Sequence, residues 1–407
     1  MGSSLTEATS APKGTPGEVF LAFLKLGLTS FGGPIAHLGY FRDELVSRRR
    51  WIDEQGYADL VALCQFLPGP ASSQVGFALG LWRGGPLGAL AAWAAFTLPS
   101  AILLVALALG AGALEGPVAQ GVLHGLKIVA VAVVAQAVWG MARSLAPDRQ
   151  RSAIAVLGLA VTMLLAGALG QVVAIALGVL AGLVWCRGDL AATHAVLSFG
   201  ISKRLGAALL VVFGVLLFGL PLLASVVGAQ GLNLFDAFYR AGSLVFGGGH
   251  VVLPLLDAEV VGNGWVAKDQ FLIGYGAAQA VPGPLFTFAA FLGAVSAPAP
   301  NGVLGAAIAL VAIFLPGFLL LVGTLPFWDA VRARPLAQAG MRGANAAVVG
   351  ILGAALYDPV WVSAIVRPVD LVLAVAGFVL LMVWKAPPWS VVVALAVAGG
   401  VLGAVGY

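Results

Sequence analysis

Four short glycine- and proline-containing motifs interrupt apolar stretches of this sequence, and they are its best candidates for binding a ligand. The motifs are Phe31-Gly32-Gly33-Pro34, Pro68-Gly69-Pro70, Phe246-Gly247-Gly248-Gly249 and Pro282-Gly283-Pro284. Proline removes a backbone donor and glycine tolerates unusual dihedral angles, so each motif is expected to break a helix. A break frees backbone N–H groups at the start of the next half-helix, where the helix dipole favours anions.

The four motifs form two pairs within a duplicated sequence. Phe246 follows Phe31 at almost the same distance along the chain as Pro282 follows Pro68. Further matches occur in the same order, which indicates an internal duplication. A single Gly/Pro cluster would be explained most simply as a kink for close helix packing. Four breaks paired across a duplication favour a transport site instead, because broken backbone at membrane depth is tolerated only beside protein or a water-filled cavity.

Cationic residues occupy equivalent positions near these breaks. Lys25 and Arg240 each precede a Phe-Gly-Gly motif. A cation inside a membrane segment is costly, so each is a candidate for contacting an anion, and the alternative is that both extend to the membrane surface. Lys127 lies deeper within an apolar stretch, and its equivalent in the second copy is Asn345. We interpret both as anion-facing.

Neutral polar residues complete the candidate site. Gln65 and Gln279 are matched amide donors before each Pro-Gly-Pro, and Ser72 follows the first of these motifs. An unpaired amide is expensive in lipid, so each glutamine either bonds another helix or lines a cavity. The candidate substrate-binding residues are Lys25, Phe31, Gly32, Gly33, Pro34, Gln65, Pro68, Gly69, Pro70, Ser72, Lys127, Arg240, Phe246, Gly247, Gly248, Gln279, Pro282, Gly283, Pro284 and Asn345.

Two aligned glutamates are candidates for carrying a coupling proton. Glu44 and Glu259 occupy equivalent positions of the two copies, and the alternative is that both are charges at the membrane interface. His37 and His250 lie near the breaks and could titrate, but they do not align with each other and rank lower. No catalytic motif, metal motif or nucleotide-binding loop occurs, so the sequence predicts neither a cofactor nor ATP coupling.

The composition requires a bilayer around these segments. Hydrophobic residues make up 61% of the chain and charged residues only 9%, and the mean hydropathy is +1.03. A soluble domain has roughly 25% charged residues. Apolar stretches of about 20 residues recur along the chain, and each is long enough to cross a membrane. The net charge of +4 is too small and scattered for nucleic-acid binding.

We therefore predict an all-α polytopic membrane protein with about 10 to 13 membrane segments. Residues 1–16 are predicted to be a disordered N-terminus, and residues 17–187 to form the first repeat. Residues 188–230 form a linker with one membrane helix, and residues 231–407 the second repeat. An even number of crossings followed by one linker crossing inverts the second repeat relative to the first, as in many secondary transporters.

One basic loop conflicts with simple counting of crossings. Arg42 and Arg48 to Arg50 follow the first apolar segment, which would place them outside the cell against the positive-inside rule. If the first two segments of each half are broken and re-entrant, this loop returns to the cytoplasm. The number of crossings in each half stays even, so the inversion is preserved.

These residues resemble the chromate ion transporter family in its long, two-domain form. The resemblance rests on Phe31-Gly32-Gly33-Pro34, Glu44, Trp51 and Gln65 to Pro70, with the second copy from Phe246 to Pro284. It implies an inner-membrane, multi-pass protein that exports chromate by using the proton motive force and so confers chromate resistance. Sulfate is the isosteric competitor, and Gly249 departs from the pattern where the first copy has Pro34.

The physical chemistry agrees with an oxyanion substrate. Half-helix N-termini and cations suit a tetrahedral dianion, and a negative-inside potential favours its export by about 2.3 kcal/mol per charge per 100 mV. A transporter of sulfate or another small anion is the alternative. A membrane-embedded enzyme would need clustered acidic or histidine residues, which the sequence lacks. The sequence leaves a homodimer open.

Overall fold

The computed structural model describes residues 14–110, 116–165, 167–187, 199–246, 249–328, 330 and 334–406. Every regular element among these residues is a helix, which confirms the all-α prediction. Five stretches are long and apolar enough to cross a membrane, and they are Ala71–Gly110, Pro117–Leu145, Lys203–Val227, Gly302–Phe327 and Pro335–Ala364. The chain is therefore a multi-pass membrane protein. The predicted disorder of residues 1–16 falls mainly on residues outside the description.

The helices of the first half begin at glycine, proline or short capping residues. Their bounds are α1 Pro16–Thr29, α2 Gly33–Phe41, α3 Glu54–Phe66, α4 Ala71–Gly110, α5 Pro117–Leu145, α6 Arg149–Leu164 and α7 Ala168–Trp185. The side chain of Thr15 caps α1 by accepting from the Glu18 N–H, and that of Asp53 caps α3 by accepting from the Gly56 N–H. A π-helical segment, Arg42–Arg48, extends α2.

A linker helix and a second set of helices follow. Their bounds are α8 Lys203–Val227, α9 Gln230–Ser243, α10 Val252–Leu256, α11 Lys268–Ala278, α12 Phe288–Val295, α13 Gly302–Thr324, α14 Pro335–Ala355, α15 Val362–Ala364, α16 Pro368–Met382 and α17 Pro388–Ala404. A π-helical segment, Asp257–Val261, follows α10 as Arg42–Arg48 follows α2. The two halves therefore repeat the same order of elements.

The first two segments of the chain enter and leave on the same face. Arg83 forms an ion pair with Glu18 at 3.0 Å and lies over the ring of Trp51. Glu18 is at the start of α1, Trp51 follows α2 and its π-helical extension, and Arg83 precedes the turn within α4. Because Arg83 contacts both of the others, the chain returns to the same face twice. We call it the Arg83 face. With only 14 residues, α1 is about 21 Å long, too short to cross about 30 Å of hydrocarbon.

The long helix α4 is in fact a helical hairpin. Gly84 and Gly85 leave helical geometry, and Gly85 has a φ of +65°. Gly80 and Gly88 then pack so closely that a Cβ on Gly80 would lie 2.5 Å from the Gly88 carbonyl oxygen. The segments α1–α2 and α3–α4 are therefore two re-entrant hairpins. This path supports the re-entrant version of the topology, and it leaves the second helix of α4 as the first true crossing.

The linker helix α8 takes the chain to the opposite face. Near its start, Gly206 packs against Gly323 at the end of α13. Just after its end, Gly231 packs against Pro300 immediately before α13. Because the two ends of α8 lie at opposite ends of α13, the second half begins from the other face. Its order of elements is thus repeated in the reverse orientation.

The basic residues follow this path. Arg49 lies over the ring of Trp51, so the loop from Arg42 to Arg50 is on the Arg83 face. Crossings by the second helix of α4 and by α5 bring the loop that carries Arg149 to this face as well. Helices α6 and α7 pack against each other as a pair, so the chain returns to the same face at Arg187. The positive-inside rule predicts that the Arg83 face is cytoplasmic. The conflict seen in the sequence disappears because the first two segments do not cross.

The last two helices of each half pack against the other half. Helices α6 and α7 contact α14, whereas α16 and α17 contact α5. Glycines permit the close approach: a Cβ on Gly343 would lie 2.0 Å from the Gly178 carbonyl oxygen, and one on Gly399 would lie 2.2 Å from that of Gly121. The two halves therefore exchange helical hairpins, and neither is a separate unit.

We expect Gly343→Ala to destabilise the protein by roughly 2 kcal/mol, because the added methyl group forces α14 away from α7. The matched control is Gly140→Ala in α5, where nothing lies within 4 Å of the added atom. This control gains helix propensity and is expected to be neutral or stabilising. Thermal unfolding in detergent checks both variants, and equal melting temperatures would contradict the packing described above.

Candidate functional site

Two reciprocal hydrogen bonds hold the helix breaks of the two halves together. The N–H of Gly69 donates to the carbonyl oxygen of Val245 at 2.8 Å, and the N–H of Gly283 donates to that of Ser30 at 2.9 Å. Each Pro-Gly-Pro turn therefore bonds the residue just before the Phe-Gly-Gly motif of the other half. The structure thus joins the predicted breaks in crossed pairs. Gly247 and Gly248 lie outside the described residues.

Glycine is required at the centre of both turns. Gly69 and Gly283 have φ values of +123° and +100°, which L side chains rarely adopt. A Cβ on Gly283 would also lie 2.9 Å from Ser100 Oγ, and one on Gly69 would lie 3.1 Å from Gly317 Cα. Ser100 and Gly317 are equivalent positions of α4 and α13. The two turns are therefore packed against matching points of the two halves.

Equivalent residues meet where the halves face each other. Gly249 is the second-copy equivalent of Pro34, and a Cβ on Gly249 would lie 3.2 Å from Pro34 Cγ. A second proline at position 249 would meet the ring of the first at this contact. The departure from the repeat that the sequence shows at Gly249 is therefore a packing requirement.

Two histidines lie close to this junction although they are not equivalent in sequence. His37 is buried, and its Nδ1 lies 3.3 Å from Ser72 Oγ. His250 Nδ1 lies 2.8 Å from the Tyr275 hydroxyl. His250 also approaches the first half, because its Nε2 would be 4.0 Å from a Cβ on Gly33. Both histidines therefore contact residues at or next to the breaks.

The candidate cations near the breaks pair with the candidate proton carriers. Lys25 Nζ lies 2.7 Å from Glu44 Oε2, and Arg240 Nη1 lies 2.8 Å from Glu259 Oε1. Both glutamates are buried. Arg240 also contacts Asp236 at 3.1 Å. The duplication has therefore preserved an ion pair, which sequence reasoning had treated as separate cations and acids.

Glu44 is bonded more extensively than its equivalent. Arg48 and Arg49 also contact it, at 2.9 and 2.8 Å. Three cations thus surround the carboxylate of Glu44, whereas Arg240 alone faces two carboxylates, Asp236 and Glu259, among the ion pairs of the described residues. Positive charge therefore exceeds negative charge around Glu44, whereas negative charge exceeds positive charge around Arg240.

Lys127 lies in a separate pocket rather than beside the Pro-Gly-Pro turn. Its Nζ is 2.9 Å from Asp269 Oδ1, and His124 and Arg367 line the same cavity of about 550 Å³. Asp269 is in the first turn of α11, whose 11 residues extend about 16 Å towards Pro282. The pocket is on the face opposite the Arg83 face, because α5 begins there.

The remaining candidates divide by burial. Gln65 is exposed, whereas Gln279 Nε2 and Asn345 Oδ1 are buried atoms without a hydrogen-bond partner among the described residues. Phe31 packs against Trp389 with ring centres 6.3 Å apart.

Within the described part of the chain, no group of three or more His, Cys, Asp or Glu residues has the geometry of a metal site.

The family match agrees with this repeated geometry. A family model described as chromate transporter matches residues 17–183 and again residues 232–403. The chain belongs to the chromate transporter family. Each match contains one Phe-Gly-Gly break and one Pro-Gly-Pro turn. The resemblance seen in the motifs is therefore confirmed.

Three relatives extend over most of the chain. A chromate transport protein of Pseudomonas aeruginosa is 32% identical over 96% of this chain and 92% of its own length. A probable chromate transport protein of Synechococcus elongatus is 30% identical over 82% of each. A chromate transport protein of Cupriavidus metallidurans is 29% identical over 85% of this chain and 83% of its own. No solved structure matches the chain.

Replacing Gly283 with alanine is expected to destabilise the chromate transporter chain by roughly 3 kcal/mol, because alanine at this φ is strained and its Cβ collides with Ser100. The bond to Ser30 is then disrupted. Gly228→Ala is the control, since Gly228 has a φ of +66° in open space and is expected to lose only about 1 kcal/mol. Melting temperatures in detergent distinguish the two. A Gly283→Ala variant as stable as the control would contradict the role of this turn.

The unequal ion pairs generate a further prediction. Arg240→Met leaves Asp236 and Glu259 buried without their cation, so we expect a loss of roughly 3 kcal/mol in the free energy of unfolding. Lys25→Met leaves Glu44 with Arg48 and Arg49, so the expected loss is about 1 kcal/mol or less.

Thermal unfolding of the two variants at pH 7 measures this difference. A larger loss for Lys25→Met than for Arg240→Met would show that the charge balance described here does not control stability.

Proposed function

We propose that the chain exports chromate across the inner membrane, driven by the proton motive force, and thereby confers chromate resistance. The observation that carries this proposal is the pair of reciprocal hydrogen bonds, Gly69 to Val245 and Gly283 to Ser30. They bring helix breaks from both inverted halves to one junction. Secondary transporters of inverted-repeat design bind substrate at such junctions of broken helices.

The charge of the substrate supports outward transport. The loops with most of the named basic residues lie on the Arg83 face, which is cytoplasmic by the positive-inside rule. An anion leaving that side moves down the membrane potential and gains about 2.3 kcal/mol per charge per 100 mV. Export of a dianion is therefore driven directly by the membrane potential, which is the electrical part of the proton motive force.

We retain the candidate substrate residues of the sequence analysis, with their roles divided by position. The described residues of the four breaks, with Ser72 and Gln279, form the central contacts, because they lie at or next to the bonded turns, and Gly247 and Gly248 are retained from the sequence pattern alone. Lys127 contributes from its pocket, which opens on the face opposite the Arg83 face and would be the exit for an exported anion. Residues 17–187 and 231–407 act as the two transport repeats, joined by the linker 188–230.

The ion pairs offer a route for proton coupling. A proton taken up by Glu259 would neutralise it and weaken its hold on Arg240, which could then attract the substrate anion. Asp236 would still contact Arg240, so the cation would remain in place. Glu44 would respond less, because three cations stabilise its charged form. We therefore assign the principal coupling role to Glu259.

The test is chromate flux in proteoliposomes, with and without a pH gradient and a membrane potential, and with excess sulfate as competitor. We expect gradient-dependent chromate flux in the unaltered protein. Lys127→Ala should reduce this flux roughly tenfold, which corresponds to about 1.4 kcal/mol in the barrier. Arg143→Ala is the matched control, because Arg143 is an exposed cation at the far end of the same helix.

Each outcome separates part of the proposal. Flux that is unchanged in Lys127→Ala would remove the exit pocket from the mechanism but leave the transporter. Chromate flux that does not depend on the pH gradient or on the membrane potential would refute the proton motive force as the driving force. Transport of sulfate without transport of chromate would replace the substrate while keeping the family architecture.

A further inference from the structure

The two halves share a fold at the junction but differ in chemistry. Polar residues of the first half stand where the second half has apolar ones. The equivalent pairs are Ser30 and Val245, His37 and Val252, Ser72 and Phe286, Gln74 and Phe288, and Thr97 and Phe314. Ser73 differs from these residues, because its equivalent in the second half, Thr287, also carries a hydroxyl. At the other positions the hydrogen-bonding side chains belong to the first half, whereas His250 and Tyr275 of the second half align with Ile35 and Val61.

Several of these first-half groups are buried without a hydrogen-bond partner among the described residues. The atoms are Ser30 Oγ, Ser73 Oγ and Thr97 Oγ1, and all three residues are at most 3% exposed. Each unsatisfied buried polar group destabilises the fold, because it has lost its bonds to water without replacement. Such groups are unusual, because buried polar groups in proteins are almost always bonded. Such a group of donors indicates a place where a ligand supplies the missing acceptors.

Contacts place Ser30, His37 and Ser72 around a single turn of the second half, and Ser73 and Thr97 directly follow Ser72 and Phe96 in the chain. Ser72 Oγ contacts His37, whose ring packs edge-on against Phe96 at 5.4 Å. The Gly283 turn touches the same groups, because it donates to the Ser30 carbonyl and a Cβ on it would lie 3.0 Å from the Phe96 carbonyl oxygen. We call Ser30, His37, Ser72, Ser73 and Thr97 the hydroxyl cluster.

The equivalent place in the second half is filled by aromatic rings. Phe286 and Phe314 pack with ring centres 5.6 Å apart, and Phe288 packs against Tyr275 at 5.7 Å. The hydroxyl of Thr287 donates to the Pro284 carbonyl oxygen at 2.8 Å, so it is already satisfied. At these positions the second half has packed aromatic side chains, whereas the first half has hydrogen-bond donors.

We propose that the hydroxyl cluster supplies the hydroxyl and imidazole donors that coordinate a tetrahedral oxyanion, and that the second half contributes the Gly283 turn and an apolar wall beside them. The proposal rests on the proposed function and specifies where its substrate binds. A tetrahedral oxyanion presents acceptor oxygens in all directions, which match converging hydroxyl and imidazole N–H donors. The helices α2 and α4 also begin at this place, and their N-termini add partial positive charge.

The test compares equivalent hydroxyls of the two halves. Ser73→Ala and Thr97→Val remove unpaired hydroxyls with little change of shape, whereas Thr287→Val removes the satisfied hydroxyl at the position equivalent to Ser73. Sulfate, chromate and molybdate are added to each detergent-solubilised variant, and the rise in melting temperature is measured. The apparent KM for chromate is measured in proteoliposomes.

We expect oxyanions to bind about tenfold more weakly to Ser73→Ala and to Thr97→Val than to the unaltered protein, as the loss of one hydrogen bond to a charged ligand implies. Thr287→Val is expected to lower the melting temperature without oxyanion but to keep the rise on adding oxyanion and the apparent KM. A hydroxyl with a merely structural role would show only that first effect.

The outcomes for this proposal and for the proposed function are distinguishable. Chromate transport with an unchanged KM in both first-half variants overturns the hydroxyl cluster and leaves the chromate exporter. Sulfate stabilisation that is lost in those variants, without chromate flux, supports the cluster and overturns the chromate substrate. If no oxyanion stabilises the unaltered protein, or if Thr287→Val weakens binding as much as Ser73→Ala, the proposal fails.

Discussion

The structure depends on satisfying backbone polar groups where helices are interrupted in apolar surroundings. An unbonded N–H or carbonyl is expensive there, and water does not replace the missing partner. The chain solves this by bonding Gly69 to Val245 and Gly283 to Ser30, so that each half completes the interruption of the other. The positive φ of both glycines and the packing of the turns against α4 and α13 follow from holding these two bonds.

Duplication has preserved this backbone arrangement while the side chains have diverged. The bonds between breaks, the π-helical segments and the ion pairs of Lys25 and Arg240 occur in both halves. Charge and polarity around them are unequal. Glu44 has a surplus of cations and Glu259 has a deficit, and the hydroxyl-bearing Ser72 and Thr97 of the first half correspond to phenylalanines in the second. Symmetry of the backbone permits two conformational states of similar stability, whereas asymmetry of the side chains can localise binding to one half.

Sequence reasoning reached the fold because its signals are local or periodic. Apolar stretches predicted the helices, the constant separation of matching motifs predicted the repeat, and the basic residues from Arg42 to Arg50 favoured re-entrant segments. It could not predict which break bonds which, since that pairing joins residues far apart in the chain. The pair of Lys25 with Glu44 did have a signal, because Arg240 and Glu259 have the same separation in sequence. The hydroxyl cluster could have been found by asking which aligned positions differ in polarity.

The exchanged hairpins have a consequence for biosynthesis. Helices α6 and α7 are complete at Trp185, but their partner α14 begins only at Pro335, after the linker helix and most of the second half's breaks have been made. Until that segment is made, the glycine-lined surface of α7 faces lipid or a chaperone, and α5 lacks α17 for longer still. Folding is therefore expected to be slow, because these contacts join distant parts of the chain, and the two halves cannot fold one after the other. Helix α17 thus completes the packing of α5, a helix that is synthesised before the whole of the second half.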